Sequence, residues 1–471
     1  MKKAVDNEYI MDLIERSRKA QEVALTYSQE RVDELAAAIM YSLSRVPVAQ
    51  KLAKMAYEET GMGTLEAKVE KFVSKLPMVW QDIKNVKTVG IIEELPELGL
   101  IKLGKPAGVI GALIPSTNCE ATPVFDGVLG LRGRNSVIFA PHPHSKQTTM
   151  AVVELMREIL TKNGAPADLF LCIDQPSKQR AADLMAACDL VFATGAKDMV
   201  RAAYCSGTPA YGVGVGNAAV IIDGTTDPAE TAHKIFLGKT KDNASGCSSE
   251  NSLIIQEDCY DTFIEALKKE GAYLVTPEEK VRLQSTIWVD GHLNREIVAR
   301  PVSRVAELAN IPAPANTTFM LVEETGVGEG YPFSEEKLSL VTTVYKYRDF
   351  REAVDLVNRI TGHSGTGHSC GIHSTNEDHI MDLALHTLTT KVLVCQPHGI
   401  SNSGAWHNGL AKTFSLGCGT WGGNIASENI TQKHFINTTW VSRPIRPVGQ
   451  KPFTEEEIFG DIIKRVKLLD C

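Results

Sequence analysis

Apolar residues recur in three different rhythms along this 471-residue chain, and each rhythm predicts a different kind of element. In the N-terminal stretch Ile10, Leu13 and Ile14, then Val32, Leu35, Ile39 and Leu43, keep a helical period, so this part reads as helices. At VGIIEELPELGLIKLGKP the rhythm changes. Two β-rich runs, 89–93 and 98–103, flank a turn containing Pro96, which predicts a hairpin that is either an edge covered by another subunit or a surface flap. From Gly108 onward come VIGALIP, SVIFAP, DLFLCID, DLVFATG and AAVIID, separated by the helical stretches 145–163 and 177–187. Runs without polar alternation are buried on both faces, which implies a parallel sheet covered by helices. Such sheets bind ligands at the carboxyl ends of their strands, and Pro115–Asn118, Pro141–His144 and Thr194-Gly195 fall there.

A second α/β unit begins near Asp227, which is a natural N-cap ahead of Pro228 at the first helical position. Helices are expected at 228–239, 260–269 and 349–360. Strands are expected at 251–256, TFMLVEE, LVTTVYKY and KVLVCQP, with NTTWVSRPI as a last one. No repeat or low-complexity linker interrupts the chain, so its domains are expected to share an intimate cleft.

Composition narrows the class. The length exceeds one ordinary core and suggests two or three domains, while 43% hydrophobic and 23% charged residues describe a soluble globular protein. A net charge of −8 argues against a nucleic-acid or anionic-membrane partner. No apolar run approaches the roughly 20 residues of a membrane span, and charges scattered through the first residues exclude a secretory signal. Ten cysteines lie scattered with no CxxC pair. That pattern suits a reducing cytoplasm and argues against both disulfide staples and a metal site. No amphipathic targeting tail is read.

Candidate chemistry centres on Cys247, in KTKDNASGCSSENSLIIQ between the helix at 228–239 and the strand at 251–256. Its small polar neighbours leave the sulfur free to meet a ligand, and a thiolate is a natural covalent catalyst. The triplet Gly212, Gly214 and Gly216 in YGVGVGN precedes a strand, whereas a dinucleotide fingerprint follows one and opens a helix. Thr194-Gly195, at a strand tip that opens a helix, is the better phosphate candidate.

The stretches IPSTN, FAPHP, FATGAKDMVRAAYCSGTPAYGVGVGN, DNASGCSSE, EEKLSLV, GTGHSCGIHS and LGCGTWGGNIASENITQKHFIN, in that order, resemble the aldehyde dehydrogenase superfamily. They are most similar to its coenzyme A-acylating branch. The resemblance implies two Rossmann-like α/β domains with a β-hairpin oligomerisation element. The cofactor domain would span 1–87 and 106–226, the oligomerisation strands 88–105 and 434–446, and the catalytic domain 227–419. It assigns Cys247 as nucleophile, Asn118 as oxyanion donor, and His368 to the active site as a base or a core histidine. Pro115, Ser116, Thr117, Pro141, His142, Thr194, Gly195, Gly212, Gly214, Gly216, Asn217 and Glu336 become candidate contacts for NAD or NADP. Hydrolytic members carry a glutamate where this chain has Gly212, and a side chain that activates water is typically worth 10²- to 10⁴-fold. Its absence points to coenzyme A as acyl acceptor, with Glu250 as a possible substitute base. Lys146 and the neighbouring histidines leave NAD versus NADP open. The implied substrate is a small anionic aldehyde, sulfoacetaldehyde first, with His398, Asn402 and His407 as candidate sulfonate contacts. Succinate semialdehyde, acetaldehyde, or a hydrolytic enzyme releasing free acid are the alternatives. A homodimer or homotetramer is expected.

Overall fold

The computed structural model describes residues 5–195, 197–450 and 453–466. Two parallel sheets dominate it. The first places five strands in the order Phe170–Cys172, Ser136–Pro141, Val109–Ile114, Leu190–Thr194 and Ala210–Val213. The second has seven, in the order Ala272–Leu274, Phe319–Glu323, Val341–Tyr347, Glu250–Gln256, Ala218–Ile222, Cys370–His373 and Val392–Val394. Val109–Ile114, Ser136–Pro141 and Ala218–Ile222 are buried at every position, as runs without polar alternation require.

Helices cover both sheets. Thr122–Arg132 is buried along its whole length, and Gly130 lets it approach the sheet: a Cβ there would lie 2.6 Å from Val137 Cγ2. The buried Arg132 at its end donates from Nε to Asp33 at 2.8 Å and from Nη2 to the Val86 carbonyl at 2.8 Å. Through these bonds Arg132 ties the N-terminal helices to the first sheet. The helix Pro228–Thr240 starts as expected, with the Asp227 side chain accepting from the Glu230 N–H.

The hairpin Gly90–Leu95 with Leu100–Pro106 is joined by Ile436–Ser442 into a three-stranded antiparallel sheet. Two expectations need correcting. YGVGVGN is not all loop, because Tyr211 and Gly212 belong to the edge strand Ala210–Val213, paired with Leu190–Thr194. A four-residue strand containing glycine carries no period of its own and is made by its neighbour. Residues 453–466 also form short helical pieces that leave Phe453, Ile458, Phe459, Ile462 and Val466 exposed, an apolar tail the sequence reading did not anticipate.

Topology positions the site. The carboxyl ends of the first sheet carry Pro115, Pro141-His142 and Thr194-Gly195, with Ile114 paired to Pro141 and Leu113 to Ala193. The amino ends of the second sheet carry Asn217, Cys247 and His368, just ahead of strands starting at Ala218, Glu250 and Cys370. Glu336 precedes the strand Val341–Tyr347. Residues 214–217 are the direct link between the two sheets.

Candidate active site

Cys247 follows three consecutive non-glycine residues in the left-handed region: Asp242, Asn243 and Ala244, at φ 50°, 51° and 57°. Each such residue costs of order 1–3 kcal/mol unless its surroundings hold it. Here they do. Asp242 accepts from the Thr64 N–H at 2.8 Å and the Ser245 hydroxyl at 2.7 Å, and pairs with Lys71 at 2.8 Å. The Asn243 amide donates to the Gly63 carbonyl at 2.8 Å. Burial opposes the charge on Asp242, but Lys71, Lys68 and these hydrogen bonds outweigh it and hold the carboxyl below its usual range. Opposite the thiol's backbone sits Gly216, where a Cβ would stand 1.9 Å from the Cys247 carbonyl oxygen, so a side chain is excluded.

The structure brings Cys247 and His368 together. His368 Nε2 lies 3.1 Å from Cys247 Sγ, across 121 residues of chain. The ring is fully buried, and burial, with Lys391 and His398 nearby, drives its pKa well below the ordinary value, so it is neutral. Burial also pushes the Cys247 thiol up to about 12, helped by Glu336 and Cys418 and opposed by Ser248 and Lys391. A protonated sulfur therefore faces a bare or protonated imidazole nitrogen, depending on the tautomer. His368 Nδ1 lies 2.9 Å from Ser369 Oγ, and the tautomer in which Nδ1–H donates there leaves Nε2 free to take the thiol proton. Asn402 holds this arrangement, its Nδ2 donating to Ser369 Oγ at 2.9 Å and to Ser248 Oγ at 2.8 Å. Sequence reasoning missed Ser248 and Ser369. The only signal was their adjacency to Cys247 and His368.

Asn118 ends a 3-10 turn, Ser116–Asn118, at the carboxyl tip of Val109–Ile114. Its Oδ1 is buried and has no hydrogen-bond partner among the described residues. Such an atom invites a ligand, because an unpaired buried polar group is costly.

The other candidates divide. Pro115, Ser116 and Thr117 share that turn, and Pro141 and His142 lie beside it. Thr194 Oγ1 and Ser415 Oγ are 3.0 Å apart. Gly195 and Gly214, with Gly246 next to the thiol, have no heavy atom within 4 Å of where a Cβ would stand, so they line open space. Glu336 Oε1 accepts from the Gly216 N–H at 3.1 Å, and burial pushes its pKa up to about 8 against the pull of that N–H, Lys337 and Lys239. Gly212, by contrast, presents its Cβ direction to Val200 and Tyr204, at 2.6 and 2.8 Å. Asn217 is fully spent inside the fold, donating to the Ser334 carbonyl at 2.8 Å and the Ile360 carbonyl at 3.2 Å and accepting from Asn251. Both are struts rather than cleft-lining groups, for the same reason: each is packed against or bonded to protein on the side that would have to meet a ligand.

Glu250 is engaged through one oxygen, its Oε1 accepting from the His398 N–H at 2.6 Å and the Gly399 N–H at 3.4 Å, while Oε2 is buried without a partner among the described residues. The suggested sulfonate contacts are each partly engaged by protein, although His398 Nε2 and Asn402 Oδ1 are buried without a partner among the described residues. His398 is buried, lies 2.7 Å from the Ser248 carbonyl through Nδ1, and is pushed by burial down to about 4, so it carries no charge. Asn402 holds the serines, and the exposed His407 lies 2.8 Å from Ser401 Oγ. Among the described residues no group of three or more His, Cys, Asp or Glu is placed to hold a metal ion. A cavity of about 640 Å³ lined by Glu323, Glu324, Lys346, Asp349 and Arg359 among others sits at the carboxyl ends of the second sheet's strands, opposite the end that carries Cys247.

A cysteine against a neutral buried histidine, where the ends of two parallel sheets face each other, is the arrangement of a thiol-dependent α/β enzyme. The profile of the aldehyde dehydrogenase family matches residues 3–282, and the chain belongs to that family. A sulfoacetaldehyde dehydrogenase of an Acholeplasma species is 44% identical over 463 residues, covering 97% of this chain and 95% of the relative. The sulfoacetaldehyde dehydrogenase (acylating) of Bilophila wadsworthia is 41% identical over 461 residues, covering 97% and 99%. The crystal structure of an acetylating aldehyde dehydrogenase from Geobacillus thermoglucosidasius superposes with a TM-score of 0.91 at 34% identity, covering 94% of this chain and 98% of that one.

Proposed function

We propose that this protein is a coenzyme A-acylating aldehyde dehydrogenase that oxidises sulfoacetaldehyde to its acyl-CoA through a thioester on Cys247. The observation that carries this reading is the Cys247–His368 pair at 3.1 Å. The names of the two relatives support the substrate. As the sulfur attacks the aldehyde carbon, His368 Nε2 takes its proton. The Asn118 amide and the Cys247 N–H donate to the developing oxyanion, one such donor being commonly worth roughly 2.7 to 4 kcal/mol. A nicotinamide bound beside the sulfur would supply the hydride acceptor that oxidation of the Cys247-bound carbon to a thioester requires. The open space beside Gly195, Gly214 and Gly246, where a Cβ would meet no heavy atom within 4 Å, leaves room for such a group. Pro115, Ser116, Thr117, Pro141, His142, Thr194 and Glu336 are the residues that would hold it. The thiol of coenzyme A, with a pKa near 8.5, ionises far more readily than water and takes the acyl group.

NAD is favoured over NADP by Glu59. Its carboxylate accepts from the Gln147 and Thr148 N–H groups at 2.9 and 2.8 Å and so occupies the helix N-terminus that a 2′-phosphate would seek. His142 is kept neutral by burial, His144 and Arg295 and adds no cation. We assign the cofactor to 1–87 and 106–226 and the chemistry to 227–419. Exposed Ile91, Trp440 and Val441 on the antiparallel sheet support a homodimer or homotetramer built on strands 88–105 and 434–446. Among the described residues no helix is long and apolar enough to cross a membrane, and the scattered cysteines support a cytoplasmic setting.

The test is turnover with and without coenzyme A. Sulfoacetaldehyde and NAD alone should give a burst of about one reduced cofactor per active site and then very slow turnover. Coenzyme A should restore turnover with ping-pong kinetics. Free acid formed at full speed without coenzyme A refutes the acylating reading.

A further inference from the structure

We propose that Lys71 is a positioning residue that fixes the nucleophile's loop against the oxyanion donor's loop. This rests on the roles given above to Cys247 and Asn118. One ammonium spans the two loops. Lys71 Nζ lies 2.8 Å from Asp242 Oδ2, five residues before Cys247, and 3.1 Å from Glu120 Oε1, two residues after Asn118. It also donates to the carbonyl of Thr117, the residue before Asn118, at 3.4 Å. An ammonium has three N–H groups, and these three acceptors fill them.

Around this contact the charges balance. Lys68 joins Glu120 at 3.4 Å, with both side chains fully buried. Burial opposes the charges on Lys71, Glu120 and Asp242, yet Asp242 and Glu120 hold Lys71 above its usual pKa, while Lys71 and Lys68 hold both carboxyls below theirs. Two cations thus face two anions.

The backbone supplies an independent sign. The helix Leu65–Glu70 passes into a π-helical turn at Lys71–Lys75 before resuming as Leu76–Ile83. Such turns are rare and concentrate at functional sites, because the extra residue re-aims the side chains that follow. Here the turn begins at the residue that makes the bridge. At its far end, Lys75 donates to the Ser403 carbonyl at 2.7 Å and to the Gly404 carbonyl, a third loop near the site.

The consequence is geometric. Asp242 opens the left-handed run that leads to Cys247, and Thr117 precedes the amide that must meet the oxyanion. Cutting the Lys71 bridge frees both loops at once. A misplacement of about 1 Å between reacting groups can cost on the order of 10²-fold in rate.

The experiment uses the full-length enzyme, rapidly mixed with sulfoacetaldehyde and NAD without coenzyme A. The burst amplitude counts competent sites, and the burst rate reads their geometry. Lys71→Met and Asp242→Asn should each slow the burst per site at saturating NAD by about 10- to 100-fold, with Lys71→Arg recovering part of the rate. Asp242→Asn is nearly isosteric and leaves Lys71 paired with Glu120, so it decides the matter if Lys71→Met does not fold. A lower melting temperature or amplitude with an unchanged burst rate per site would make the cluster merely structural and overturn the proposal. A wild-type enzyme without any burst would instead overturn the functional reading on which the proposal rests.

Discussion

Replacing His368 by alanine tests the centre of the mechanism most directly. With burial and Glu336 pushing the Cys247 thiol up to about 12, the thiolate fraction at pH 8 would be about 10⁻⁴ without a proton acceptor. His368 Nε2, 3.1 Å away and neutral, removes that limitation by taking the proton during attack. A thiolate of high pKa is intrinsically more nucleophilic, which returns part of the deficit. The expected loss is therefore about 10²- to 10⁴-fold in the burst of reduced cofactor, the range general bases usually supply. That equals about 2.7–5.4 kcal/mol at 1.36 kcal/mol per decade. The pH profile gives an independent check. In His368→Ala the burst rate should rise about tenfold per pH unit between pH 7 and 10, because only pre-formed thiolate reacts. The wild type should be much flatter. The assay is stopped-flow cofactor reduction, with sites counted by burst amplitude. A variant within threefold of wild type, or one whose rate reaches a plateau near neutral pH, would refute the reasoning.

Other consequences can be checked separately. Cys247→Ala should abolish both cofactor reduction and acyl transfer, and mass spectrometry of the wild type held without coenzyme A should find the acyl group on Cys247 and on no other cysteine. Asn118→Ala should lower kcat by roughly 10²-fold or more with cofactor affinity nearly unchanged, since an oxyanion donor acts in the transition state. Gly212→Glu should not create a hydrolase, because its Cβ would press on Val200 and Tyr204; the melting temperature should fall by an amount corresponding to about 1–3 kcal/mol, and acid release without coenzyme A should stay slow. Glu336, pushed by burial up to about 8, binds more protons folded than unfolded between its ordinary value of 4.5 and about pH 8. Its contribution therefore falls as pH rises through that window, by at most about 1.4 kcal/mol per unit. Thermal unfolding of Glu336→Gln from pH 5 to 8 should show a flatter dependence than the wild type.

Much of the scaffold was legible in the linear pattern. Unbroken apolar runs such as 109–114, 136–141 and 218–222 declared parallel, doubly covered strands, because a strand's burial is written in its own side chains. Asp227-Pro228 declared a helix start because capping is local chemistry. The small residues around Cys247 likewise marked an accessible sulfur. What the pattern did not contain was which ends meet, and what each polar side chain spends its hydrogen bonds on. His368 meets Cys247 only because sheet order sets the strand Cys370–His373 beside Ala218–Ile222, and that in turn beside Glu250–Gln256. Asn217, Asn402 and His398 looked like ligand contacts in one dimension, yet each is turned to protein partners more than 30 residues away. Gly216 reads as one of three equivalent glycines until the Cys247 carbonyl is placed against it. Lys71 carried no sequence signal at all. Periodicity and capping are set by neighbours in the chain and survive in the sequence, whereas a polar group's role is set by whichever distant partner pairs with it on burial, and only the tertiary structure chooses that partner.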